Sequence, residues 1–206
     1  TISAILAGTG ALTKTTTGTV ILSAVNTYTG ATTITGGILS VSTIGDGGVA
    51  GNMGAATSTA ANLTLNGGTL RYTGVTASTN RNFVLATSTT STINITTNTL
   101  TLAGASTNTS GAFIKAGNGT LILGGNNLHT GVTTVSAGTL QLGAAERITG
   151  SLIVDATFDM NGFSETVATL AGTGTVTSSA SGSITLTSGN ASSTSFTGII
   201  ENGSAT

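Results

Sequence analysis

His129 is the sole histidine of this 206-residue chain, which has six Asp and Glu residues and no Cys. A histidine-based triad or a zinc site needs partners of matching type. With no second His and no Cys, His129 reads as a turn side chain without a catalytic or metal role. Asp155 and Asp159 stand four apart. On one strand that spacing puts both carboxylates on one face but about 13 Å apart by rise, too far for a retaining glycosidase pair unless the chain bends. Asp46 lies in a glycine loop, Ile44-Gly-Asp-Gly-Gly48. The Gly-Gly-x-Gly-x-Asp nonapeptide that multiplies carboxylates for calcium is missing, so Asp46 reads as a turn residue. β-Helical polysaccharide lyases and hydrolases converge several charged side chains in a groove. Five Lys and Arg with six Asp and Glu are too few for that, and neither an enzyme nor a cofactor is expected.

The remaining candidate chemistry is repetitive. Thr87-Ser-Thr-Thr-Ser-Thr92 and Thr96-Thr-Asn-Thr99 are rich in hydroxyls, but their spacing does not recur rung after rung, so ice binding ranks with polysaccharide action as a lesser alternative. Asn62, Asn94 and Asn108 open Asn-x-Ser/Thr triplets, glycosylation acceptors by pattern that arise readily in a Thr-rich chain. Lys14, Arg71, Arg81, Lys115 and Arg147 lie far apart and the net charge is −1. No basic stripe exists to hold a phosphate backbone, so nucleic acid is not an expected partner.

The elements that would position these residues are strands. Charged residues make up 5% of the chain and aromatics 3%, yet 38% is hydrophobic, more than disordered chains carry. Gly is abundant at 31 residues, but no Gly-X-Y period and no Pro accompany it, which excludes a collagen helix. Thr, Ser, Val, Ile and Leu dominate, β-branched side chains suit a pleated surface, and Gly supplies turns. The class is all-β. No run reaches the roughly 18 apolar residues of a membrane-spanning helix, and no signal peptide opens the chain. The first residue is Thr1 rather than Met, as expected of a processed product or an excerpt of something longer.

An internal repeat sets the architecture. Residues 14–42 (KTTTGTVILSAVNTYTGATTITGGILSVS) align without gaps on residues 115–143 (KAGNGTLILGGNNLHTGVTTVSAGTLQLG), with roughly four positions in ten identical. Gly18, Asn26, Gly30 and Gly37 match Gly119, Asn127, Gly131 and Gly138. Apolar residues alternate within both copies, at Val20 and Leu22 and at Leu121 and Leu123, and again at Leu63/Leu65, Leu70/Tyr72, Ile93/Ile95, Leu100/Leu102 and Ile184/Leu186. Period two means strands. Short strands with no helical pattern between them, in a recurring unit, predict a right-handed parallel β-helix, a single β-solenoid over residues 1–206. Rungs of roughly 20–25 residues give about 8–10 turns, a rod roughly 40–50 Å long. Equivalent side chains of the unit are expected to stack in inward ladders. Asn26 and Asn127 are expected to cap turn backbone or to stack with Asn one rung away.

Ala4–Thr13 also matches Ala168–Thr177, and Phe196–Thr206 has the shape of the opening segment. The pattern stops in mid-course, so continuation of the parent chain or end-to-end stacking of copies is expected.

The segments GTVILSAVNTYTGATTITGGILSV and GTLILGGNNLHTGVTTVSAGTLQLG resemble the passenger-associated β-strand repeat of bacterial autotransporters. Ala61–Gly74 and Phe158–Val176 are similar to spacer segments of such passengers. The resemblance implies a β-helical passenger outside the cell, working as a rigid stalk or adhesive surface, with any membrane anchor beyond this chain. The alternative is a subunit of a head-to-tail extracellular filament. The expected partners are further copies through end-to-end stacking, surface glycans, or host and environmental surfaces.

Overall fold

Alternating side chains make short strands, and short strands separated by tight corners coil. The computed structural model, which describes residues 1–204, winds the chain into a parallel β-solenoid of about nine turns. One ladder stacks Leu12–Lys14, Thr32–Ile34, Leu63–Leu65 and Val84–Leu85. A second, eight strands long, runs from Thr19–Leu22 through Thr90–Ile95 to Leu170–Ala171. A third, seven strands long, runs from Ala77–Thr79 to Ile199–Ile200. The pair Glu165–Val167 and Leu186–Ser188 adds a short fourth ladder. Strand pairing is parallel in all four. The helical content of the described residues is one 3-10 turn, Ala60–Asn62.

Rung length varies more than the sequence suggests. Thr19 pairs with Ile38 and Leu152 with Leu170, both short rungs, whereas the rung that pairs Ile38 with Thr69 is more than half as long again. The long rung bulges out as a loop between Val41 and Leu63. At a spacing of about 4.8 Å, nine turns give a rod roughly 40 Å long.

Inward positions form the core. One column runs Leu39, Leu70, Ile93, Lys115, Val135 and Val154, all buried. Another runs Leu100, Leu121, Leu140, Phe158 and Val176. Each buried Leu, Ile or Phe contributes about 1.5–3 kcal/mol relative to exposure, and the continuous columns sum these along the rod.

The two copies of the repeat have identical internal pairing. Leu12 pairs with Thr32 as Phe113 pairs with Thr133, and Thr19 pairs with Ile38 as Thr120 pairs with Thr139. They do not share faces. In the first copy Thr19–Leu22 belongs to the eight-stranded ladder; in the second, that ladder holds Ala112–Ala116 and Thr133–Val135, while Thr120–Leu123 joins the seven-stranded one. Leu22 and Leu123 therefore lie in different columns, which corrects the expectation that equivalent side chains stack on each other. The turns inside the unit match between copies, but the rungs that separate the copies are unequal, so the second copy is displaced by one face.

Candidate functional site

The chemistry-bearing side chains are spread along the solenoid and turned into its own backbone. Lys115 occupies an inward position between Ile93 and Val135 and is fully buried. Its Nζ donates to the carbonyls of Ala116 (3.1 Å), Gly117 (2.8 Å) and Ala137 (2.8 Å). Burial without a carboxylate pushes its pKa down to about 8. Lys14 repeats the arrangement, donating to Thr16 O and to Gly36 O at 3.0 Å. Each lysine thus ties the corner that follows it to the corner one rung above. In both copies that upper corner turns on a glycine with positive φ, Gly37 at 60° and Gly138 at 64°. A Cβ there would collide with the carbonyls of the corner below, Thr16 and Gly18 or Gly117 and Gly119.

His129 stands at a corner between strands, and its side chain has no exposed surface. The corner carries its ring inward, where Nε2 shares a hydrogen bond with Thr133 Oγ1 at 3.0 Å and Phe113 packs edge-on with centroids 5.3 Å apart. Burial lowers its pKa to about 4, so the ring is neutral. Tyr28 fills the same place in the first copy, its hydroxyl 2.8 Å from Thr32 Oγ1. Both copies thus place a buried ring here with a polar atom against the matched threonine hydroxyl.

The matched asparagines serve corners. Asn26 Oδ1 accepts from Leu6 N–H (2.8 Å) and its Nδ2 donates to Asn52 O (2.7 Å). Asn52 in turn accepts from Ser42 and Thr43 N–H and donates to Ala24 O. Asn127 donates to Gly125 O at 3.0 Å, and its buried Oδ1 has no protein partner. Its neighbour in the rung below is Ser106, not an asparagine. Gly30 and Gly131 sit where a Cβ would strike the backbone of Gly10 and Gly111, so these corners stack at closer range than any side chain permits.

Asp155 and Asp159 do not share a strand. The strand Leu152–Val154 ends before Asp155, which is exposed at the bend, and Asp159 closes the next strand, Thr157–Asp159. Burial pushes the Asp159 carboxyl up, but hydrogen bonds from Ser179, Gln141 and Asn161 outweigh it and hold the pKa below the ordinary value. Asp46 clasps the long loop to the next rung: its Oδ1 accepts from Asn80 N–H and Asn80 Oδ1 accepts from Gly47 N–H, both at 2.8 Å. Among the described residues no three His, Asp or Glu gather to hold a metal ion.

Several structural residues escaped the sequence reading. Arg81 is buried beneath the long loop and donates to the carbonyls of Gly45 (2.9 Å), Ala56 (3.0 Å) and Gly54 (2.8 Å). Nothing in the sequence signals a contact between positions so far apart along the chain. Lys14 and Lys115 did carry a signal, since they match between copies and Lys115 falls on the inward phase of Phe113-Ile114-Lys115. A threonine column, Thr99, Thr120, Thr139, Thr157 and Thr175, also stands in register on the outside of the seven-stranded ladder. The adjacent outward column is mixed (Thr101, Ile122, Gln141), so a two-column Thr lattice is not built there.

Inward aliphatic columns, corner clamps and a recurring unit of strands and corners define a β-solenoid repeat protein. The repeat itself is recognised: the model of the passenger-associated-transport-repeat family matches residues 12–41 and 113–142. The chain carries two passenger-associated-transport repeats, and its resemblance to autotransporter passengers holds. A curated relative, the Adhesin BmaC autotransporter of Brucella suis biovar 1 (strain 1330), is 39% identical over 179 residues. The match covers 85% of this chain and 5% of that protein's length. No solved structure matches. The filament alternative finds no support in these comparisons.

Proposed function

We propose that this chain is a segment of a cell-surface passenger, acting as a rigid, non-enzymatic stalk with adhesive faces. The observation that carries this reading is the pair of passenger-associated-transport repeats in a solenoid matching a protein named as an autotransporter adhesin. The mechanism is mechanical. Backbone ladders run along the rod, and internal Lys, Arg, Asn and His side chains bind backbone or neighbouring hydroxyls, so the polar groups that remain outside are largely neutral hydroxyls and amides. Such a surface suits weak contacts multiplied along a rod, with glycans or hydroxylated surfaces as the partners.

The test is labelling of intact producing cells with antibody to residues 1–204, together with adhesion of beads coated with the purified chain. Labelling of unpermeabilised cells and retention of coated beads on glycan-bearing surfaces are expected. An intracellular antigen overturns the surface reading; surface labelling with inert beads leaves a stalk and removes the adhesive face.

A further inference from the structure

Glu165 opens the strand Glu165–Val167 and is completely buried. Its two carboxyl oxygens reach back one turn, Oε2 accepting from Arg147 N–H at 2.8 Å and Oε1 from Ile148 N–H at 3.1 Å. These bonds pin the irregular segment Ala144–Gly150, whose Ile148 is inserted in the core. A buried carboxylate is ordinarily matched by a cation. None reaches this one. Arg147 directs Nη1 to Asn126 Oδ1 (2.9 Å) and to Glu146 O (3.4 Å). The second charged group facing the site, Glu146, is a like charge, and its Oε1 accepts from Thr166 Oγ1 at 3.2 Å. Leu186–Ser188, stacked on the other side, brings no titratable group.

We propose that Glu165 is a pH-responsive latch, which holds Ala144–Gly150 against the solenoid most firmly when its carboxyl is neutral and lets the segment open more readily above neutrality. Protonation weakens one of the two bonds, because only the carbonyl oxygen of a neutral carboxyl remains a good acceptor, but it also removes the larger penalty of a charge buried without a cation. Burial, reinforced by Glu146, raises its pKa to about 7 against backbone hydrogen bonds that lower it. With the segment open and Glu165 in water, the group returns to an ordinary carboxylate value. By linkage, the closed state binds the proton better, so between roughly pH 4.5 and 7 each added pH unit shifts the balance up to about tenfold toward opening.

Amide hydrogen exchange at Arg147 and Ile148, corrected for the intrinsic pH dependence, tests this on the whole chain. Protection is expected to fall on the order of a hundredfold between pH 5 and 8, with no parallel change at Leu121, and to be flat with pH in Glu165→Gln. Wild-type protection that does not fall, or the same slope in Glu165→Gln, overturns the latch. Should Glu165→Gln fail to fold, carbon-detected titration of the Glu165 carboxyl in the unaltered chain decides. A midpoint near 7 supports the proposal, and one at an ordinary carboxylate value overturns it.

Discussion

The two passenger repeats share an internal pairing but not their surroundings. The first lies at the start of its ladder: Leu12–Lys14 has a strand on one side only, and a Cβ on Gly18 would meet nothing within 4 Å. The second is stacked on both sides, and a Cβ on Gly119 would meet Asn98 O at 2.6 Å and Ile95 Cγ2 at 2.7 Å. Register is therefore a property of the unit, written in its alternation and corners. What each residue contributes is set by the rung beneath, which the unit does not choose.

The largest effect is expected at the lysines. Lys115→Ala empties a buried position and leaves three carbonyls without their donor, a cost of about 4 kcal/mol. Lys14→Ala, with a neighbour on one side, should cost roughly half as much. Equal losses in urea unfolding would break the comparison. The ring position comes next. His129 is neutral in the fold with a pKa of about 4, while the unfolded ring takes a proton near 6.5. Its folded pKa is lowered, so the unfolded state binds more protons in that window and stability falls as pH drops from about 6.5 to about 4, by about 3 kcal/mol at most. His129→Tyr, which writes the first copy's choice into the second, should remove this acid loss; thermal midpoints of both forms at pH 4 and 7 measure it.

Glycine substitution sharpens the contrast further. Gly119→Ala should cost about 1–3 kcal/mol because the neighbour is backbone that cannot retreat, and Gly18→Ala should stay within about 0.5 kcal/mol. Similar shifts for both would mean that unit geometry, not the underlying rung, decides. The smallest difference concerns the asparagines, and its sign reverses. Asn26→Ala forfeits two bonds made by a buried amide, about 2 kcal/mol, against about 1 kcal/mol for Asn127→Ala, whose Oδ1 is already unpartnered. Urea unfolding of the two variants side by side reads the difference.

Much of the fold was legible because it is local. Alternation at Leu63/Leu65, Leu70/Tyr72 and Leu100/Leu102 places those residues inward on strands, where the structure has them. The parallel coil follows from repetition of that alternation. The displacement of the second copy was not legible, because it depends on the summed lengths of intervening rungs, one of them stretched by the loop between Val41 and Leu63. The burial of His129 was missed for a related reason. A corner residue has no alternation to declare its direction, and Thr133, Phe113 and Ser106, from the rungs it packs against, hold the ring inward. Arg81 and Glu165 are bound to carbonyls and amides of other rungs, and backbone atoms leave no trace in residue spacing.

Displacement by one face has a consequence for anything the rod touches. Were the copies superposed along the axis, the corner bearing Thr29 and Thr130 would repeat on one bearing, and the molecule would have a front and a back. Instead the same corner looks out in two compass directions at two heights. A rod built in this way offers one corner chemistry on two bearings at once, although its sequence writes that corner only as a single unit used twice.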